Sequence, residues 1–214
     1  MDMKKNYLKI IFVIDESGSM HGTESDVIGG FNNFIEKQKA KAYGEIDVTL
    51  YKFNNDSSRI FDNLPLDKIR KLERRDYNPG GSTALYDTIG IAISEAKKHK
   101  SQLKQKHNPD MTLMVIITDG QENSSREYSA HTVKKLIEKH EQSENWQFIY
   151  LGANLSSFSD ADTLGIRNRA STRKDNLQEK FNVVSEHTIR FRKADLHEDR
   201  DVLMCRFVDD LNDE

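Results

Sequence analysis

Two carboxylates and three hydroxyls, spread over three short polar segments, are the side chains of this sequence best suited to chemistry. Asp15, Ser17 and Ser19 lie in Asp15-Glu16-Ser17-Gly18-Ser19, directly after the apolar run from Leu8 to Ile14. Thr83 ends the segment Asn78-Pro79-Gly80-Gly81-Ser82-Thr83, just before a helical pattern. Asp119 follows a second apolar run, Met111 to Thr118, and precedes Gly120. All five groups offer oxygen, and none offers imidazole or thiolate. Such a set suits a hard cation: Mg²⁺ is the expected ion, with Mn²⁺ or Ca²⁺ as alternatives. Ser17 and Ser19 are two residues apart, so on an extended turn both hydroxyls face one way beside Asp15. With few direct charges around it, a bound ion would stay electrophilic and keep a position open. A plainer reading gives the same residues local duties, with Asp15, Ser17 and Ser19 capping a helix near Ser25 and Thr83 capping one near Ala84.

Convergence of the three segments depends on the elements around them. Leu8 to Ile14, interrupted only by Lys9, reads as a strand covered on both faces, and so does Leu113 to Ile117. Val27, Ile28, Phe31, Phe34 and Ile35 recur at helical spacing, which predicts a helix over about Glu24 to Ala42, ended by Gly44. Ile46 to Phe53 is a strand and Arg59 to Leu64 a weaker, edge-like one, with a short helical turn near Pro65 to Ile69. Further helices are expected over Ala84 to Gln105, around Val133 to Ile137, over Ser156 to Leu164 and over Lys174 to Phe191. A strand is expected from Trp146 to Leu151. Strands alternating with helices predict an α/β fold, a doubly wound and mostly parallel central sheet with helices on both faces. Such sheets bind ligands beyond the carboxyl ends of their strands, where the strand order reverses.

Asp-x-Ser-x-Ser after the first strand, Thr in a Gly-rich loop and Thr118-Asp119-Gly120 after a later strand together resemble the von Willebrand factor A domain. The resemblance covers roughly Tyr7 to Ile166. It implies a Rossmann-like fold and a metal ion-dependent adhesion site made by Asp15, Ser17, Ser19, Thr83 and Asp119. It further implies that the strands before Asp15 and Asp119 flank the reversal in strand order. In that family a partner protein completes the metal shell with a Glu or Asp. Ile117-Thr118-Asp119-Gly120-Gln121-Glu122-Asn123 is more similar to bacterial and phage members than to the animal adhesion proteins. The resemblance therefore implies a non-enzymatic protein–protein interaction module.

A rival from another class is a metal-dependent phosphohydrolase using the same oxygens. Asp15-x-Ser17 resembles the start of the haloacid dehalogenase-type phosphatases, which want a second acid where Ser17 stands. Gly80-x-Ser82-x-Ala84 looks like a nucleophile elbow, yet no apolar strand precedes it. The seven histidines show no ligand spacing and are expected to be mostly solvated, with His21 a candidate for the rim of the site. A net charge of −3 gives no reason to expect nucleic acid or a membrane surface. The basic stretches Lys68 to Arg75 and Arg167 to Lys174 lie among acids and read as solvated faces. No apolar run approaches the ~20 residues that span a bilayer. The lone Cys205 forms no internal disulfide, and the expected setting is cytoplasmic. Residues 1–194 are expected to form the domain and 195–214 a C-terminal tail, with Val202 to Val208 a candidate short strand.

Overall fold

Among the described residues of the computed structural model, the chain forms six strands and five α-helices. The structure describes residues 7–41, 43–102, 109–143, 145–152, 158–171 and 176–193. The strands are β1 (Tyr7–Asp15), β2 (Glu45–Phe53), β3 (Ser57–Pro65), β4 (Met111–Thr118), β5 (Trp146–Gly152) and β6 (Asn168–Ser171). The helices are α1 (Glu24–Lys39), α2 (Leu85–Gln102), α3 (Ala130–Ser143), α4 (Phe158–Leu164) and α5 (Leu177–Lys193). The expected tail, with Val202 to Val208 and Cys205, lies outside the described residues.

The sheet order is β3-β2-β1-β4-β5-β6, with only β3 antiparallel. From β1 the chain crosses by α1 to β2 on one side, then by α2 to β4 on the other. The reversal therefore falls between β1 and β4, which pair in register from Leu8↔Met111 to Ile14↔Ile117. Asp15 and Thr118 end these neighbouring strands at one level, so the loops they begin emerge together.

Hydrophobic period explains both faces. Leu8, Ile10, Phe12 and Ile14 point to one side, where they meet Val27, Phe31, Phe34 and Ile35 of α1 and Phe181 and Val184 of α5. Ile11 and Val13 point to the other, against α2, α3 and α4. Every residue of β4 is buried, as expected of a parallel strand with both faces covered. α1 places Glu24 and Asp26 in its first turn and Lys37 and Lys39 in its last, each complementing the helix dipole. It ends at Lys39, short of the expected Ala42, and Gly44 takes the left-handed φ of 60° that turns the chain into β2.

One expectation is corrected. Arg167 to Lys174 reads as a solvated face, yet Asn168–Ser171 forms edge strand β6, paired with β5 from Ile149↔Asn168 to Gly152↔Ser171. Its only apolar residue is Ala170, so pairing with a strong neighbour, rather than its own pattern, makes it a strand. Of the described histidines, His21 and His131 are exposed and His140 and His187 are buried. His140 stacks on Trp146 at 4.9 Å, using the imidazole as a flat packing surface.

Gly30 marks the closest approach of α1 to α5. A Cβ there would lie 2.4 Å from Phe181 Cδ2 and 2.8 Å from its Cγ. The Phe181 ring is 1 % exposed and sits 6.2 Å from the Phe12 ring, so it has little room to withdraw. Ala gains up to about 1 kcal/mol of helix propensity over Gly, but overpacking of this kind costs about 1–3 kcal/mol. Gly30→Ala is therefore expected to lower stability in urea denaturation, and Gly30→Ala/Phe181→Leu to recover part of the loss.

Candidate metal centre

β1 delivers Asp15 to the carboxyl edge of the sheet, where the carboxylate is fully buried. Its Oδ1 accepts the Ser17 N–H at 2.7 Å and its Oδ2 accepts the Thr118 hydroxyl at 2.5 Å. Beyond Ser17 a single 3-10 turn, Gly18–Met20, brings Ser19 back over the site. Ser17 Oγ and Ser19 Oγ lie 3.0 Å apart, and Ser19 Oγ donates to Asp119 Oδ1 at 2.5 Å. One unbroken set of contacts thus joins the first segment to the third, across a hundred residues of chain.

Thr83 arrives on the long loop between β3 and α2, which is fastened at many points. The Tyr77 hydroxyl donates to the Asp15 carbonyl at 2.6 Å. Gly18 N–H reaches the Gly81 carbonyl and Gly80 N–H the Glu16 carbonyl, at 3.0 and 2.8 Å. Asn123, in the loop after β4, grips Thr83 twice: its Oδ1 accepts the Thr83 N–H at 2.9 Å, and its N–H donates to the Thr83 carbonyl at 3.1 Å. Gly81 has φ of 83°, and a Cβ there would collide with Asn55 Oδ1, the acceptor of the Ser82 N–H. Both conformation and space therefore require glycine at that position.

Gly120 is not in the left-handed region, so any need for glycine there is one of space. A Cβ on Gly120 would lie 3.0 Å from Thr83 Oγ1, 3.2 Å from Ser19 Oγ and 3.5 Å from Asp15 Oδ2. Oxygens from the Asp15 and Thr83 loops therefore meet in one small cradle over Gly120, and the Ser19–Asp119 hydrogen bond brings the third loop's carboxylate to its edge. Asp15, Ser17, Thr83 and Asp119 are between 0 and 4 % exposed, whereas Ser19 is exposed. The cradle is walled by protein and opens on the Ser19 side. His21, the expected rim residue, has a side chain two-thirds exposed that lies 3.8 Å from Glu24. Among the described residues no cluster of three or more His, Cys, Asp or Glu forms, so hydroxyls must supply part of any metal shell.

The capping readings do not survive this geometry. The N-cap of α1 is Thr23, whose hydroxyl donates to the Met20 carbonyl, and none of Asp15, Ser17 and Ser19 caps that helix. The first N–H groups of α2 go elsewhere than Thr83: Tyr86 N–H to Glu122 Oε2 and Asp87 N–H to Ser125 Oγ. The hydroxyl of Thr83 is left for the cradle.

The electrostatics fit a cation. Burial pushes the Asp15 carboxyl above its usual range, donors on Thr118 and Ser17 pull it back, and the charge of Asp119 pushes it up again. A divalent ion would relieve both the burial and the repulsion. The other nearby acids have duties of their own. Glu16 Oε1 accepts Lys52 Nζ at 2.9 Å and the Asn78 N–H at 2.6 Å. Glu122 accepts from Tyr86, Ser124 and Ser125, while its N–H donates to Asp160 at 3.0 Å. Thr118, Tyr77 and Asn123 are the supporting residues that sequence reasoning did not single out. Thr118 and Asn123 stand within the quoted motif, but only their contacts give them roles.

With this geometry in hand, the chain is placed by comparison. The model of the von Willebrand factor type A domain matches residues 9–189, and the chain belongs to that family. Solved structures agree on the fold. The PilB minor pilin from Streptococcus sanguinis aligns with a TM-score of 0.64 at 15 % identity, over 89 % of this chain and 63 % of the pilin. The vWF domain of the type V pili tip protein Mfa5 from Porphyromonas gingivalis aligns at 0.61 and 12 %, over 88 % of this chain and 97 % of that domain. A von Willebrand factor type A protein from Catenulispora acidiphila aligns at 0.59 and 14 %, over 86 % of this chain and 43 % of that one. This chain thus spans under two thirds of the pilin, and identities this low speak to fold alone. No curated protein sequence matches it.

The loop that carries Thr83 has its own acid-sensitive fastening. Arg70 donates twice to Asp76, at 2.6 and 2.7 Å, and this pairing, with the Glu73 N–H, holds the Asp76 carboxyl down at about 2. A depressed carboxyl contributes stability above its ordinary range, near pH ~4, and loses it as the pH falls toward about 2. Arg70 is half exposed, so screening keeps the contribution under ~1 kcal/mol. Asp76→Asn is expected to lower the urea midpoint at neutral pH, with the gap to the parent closing below pH ~4.

Proposed function

We propose that this chain is a protein–protein interaction module in which a divalent cation, Mg²⁺ in the first place, takes an acidic side chain from a partner. Asp15, Ser17, Ser19, Thr83 and Asp119 would hold the ion. When bound, the ion supplies an electrophilic position that a Glu or Asp carboxylate can fill. The observation that carries the reading is the cradle over Gly120, where oxygens of the Asp15 and Thr83 loops meet and Ser19 hydrogen-bonds Asp119 of the third loop.

The chain's own residues divide the remaining work. Thr118 and the Ser17 N–H orient Asp15, so its carboxylate is set before any ion arrives. Asn123 and Tyr77 hold the Thr83 loop against the Asp15 loop. Ser19 stands at the open side, where a partner's side chain would enter. A non-enzymatic role is supported by Ser17, which stands where a phosphohydrolase of the considered type needs an acid. It is supported further by the engagement of Glu16 and Glu122 in structural hydrogen bonds, which leaves neither poised to transfer a proton.

The proposed setting is the cytoplasm of a bacterium or of a phage-infected cell, supported by a sequence with one cysteine. The pilus association of two structural relatives belongs to those proteins. Among the described residues no helix is long and apolar enough to cross a membrane. The net charge of −3 supports a protein partner over nucleic acid.

Saturation with Mg²⁺ or Mn²⁺ at about a hundredfold over Kd is expected to raise the thermal midpoint by roughly 5–10 °C. Zn²⁺ should have no special advantage, and Asp15→Ala should abolish the shift. Capture of a partner from host extract should require the metal, fail in EDTA and fail for Ser17→Ala/Ser19→Ala. Equal capture in EDTA and by the double variant would place the interaction on another face. Turnover of a generic phosphate ester would favour the phosphohydrolase.

A further inference from the structure

Lys9 is the one charged residue inside the apolar run of β1, and it lines a pocket on the α2 side of the sheet. The pocket, of about 370 Å³, lies between α2 and the first three strands. Lys9 and Ile11 of β1 and Thr49 and Tyr51 of β2 form its floor. Ala92 and Ala96 of α2 form its roof, and their small side chains leave the space open. Register shifts in the β2–β3 pairing and a left-handed Asn63, with φ of 48°, carry β3 past its rim.

The charges around the pocket are unevenly satisfied. At the mouth, Arg59 lies 3.1 Å from Asp62 and 3.0 Å from Glu95, and Glu95 also accepts the Tyr51 hydroxyl in a short hydrogen bond. Both acids are therefore already engaged. Asp47, the other acid acting on Lys9, accepts the Tyr7 hydroxyl at 2.6 Å. Lys9 is only 7 % exposed, and among the described residues its ammonium makes no hydrogen bond or ion pair. Asp47 and Asp62 act on it through space, and burial still pulls it down to about 8. Lys9 thus presents an ammonium without a close carboxylate to a pocket with room for one. Lys98 and Arg59 stand at the mouth beside Asp62 and Glu95, and Lys9 is the cation on the floor.

We propose that this pocket binds a small carboxylate with an apolar body, its anionic end paired with Lys9 and its body between Tyr51 and the Ala92–Ala96 roof. The volume suits a small ligand. The single ammonium suits one carboxylate, and the aromatic and methyl surfaces suit a hydrocarbon body. The site lies toward the start of β1, whereas the Gly120 cradle lies at its end, so this inference does not rest on the metal reading.

Benzoate and hexanoate serve as probes, with inorganic phosphate as an anion lacking an apolar body, each titrated against the full chain in a thermal melt. At about tenfold over Kd, a carboxylate probe is expected to raise the midpoint by about 3 °C, and phosphate at equal concentration to do much less. Lys9→Met should melt higher than the parent without ligand and lose the carboxylate shift. Ala96→Leu, which keeps Lys9 but fills the roof, should also lose the shift and guards against a folding defect in the first variant. The proposal is overturned if neither carboxylate shifts the parent, if phosphate matches them, or if either variant keeps the full shift.

Discussion

Two carboxylates from opposite halves of the chain are held beside each other in a largely buried space, and like charge resists that arrangement. The backbone ladder between β1 and β4 imposes it, because Asp15 and Asp119 each follow directly from strands locked in register. Neutral donors engage both carboxylates: Thr118 and the Ser17 N–H on Asp15, and the Ser19 hydroxyl on Asp119. These bonds soften the repulsion without removing the charge. The buried Asp15 carboxyl stays above its usual range, and a divalent cation is the species that would relieve the strain most fully.

Loops that carry ligands are often the mobile parts of a protein, but here they brace one another. The Asp15 loop bonds the Thr83 loop through Gly18, Gly80 and Tyr77, and the Asp119 loop bonds it through Asn123. Glu122 ties the start of α2 to the loop after β4, and Asp160 of α4 accepts from both the Glu122 N–H and the Tyr86 hydroxyl. A hydroxyl is a weak ligand, so it contributes only when it is already placed. This network places three of them. It also explains why Gly81 and Gly120 stand where they do, one for a left-handed turn over Asn55 and one to leave the cradle empty of side chain.

The strong features were legible in the sequence because they are local. The unbroken apolar runs of β1 and β4 identify buried parallel strands, and the 3.6-residue spacing of Val27, Phe31 and Phe34 identifies α1 without help from the rest of the fold. The five oxygen-bearing residues were legible as types beside strand ends, and the reversal in strand order explained how distant loops could meet. β6 was not legible, since Asn168-Arg169-Ala170-Ser171 becomes a strand only through pairing with β5. Burial of His140 depends on Trp146, which belongs to the next element. The fastening roles of Thr118, Tyr77 and Asn123 likewise exist only once three loops are side by side. Lys9 could be seen to interrupt its strand, but the alanines of α2 that leave space above it gave no signal of their own.

The central claim is that the oxygens around Gly120 form one divalent-cation site, and calorimetric titration with Mn²⁺ tests it most directly. The parent should bind one ion. Asp119→Asn, which keeps the shape of the site and removes the charge that pushes Asp15 up, should fold at least as stably without metal and bind Mn²⁺ at least about tenfold more weakly. Gly120→Ala should also weaken binding, because its methyl would press on the Thr83 and Ser19 hydroxyls. Stoichiometric binding that is equally tight in the parent and both variants, or no binding by the parent, would contradict the account.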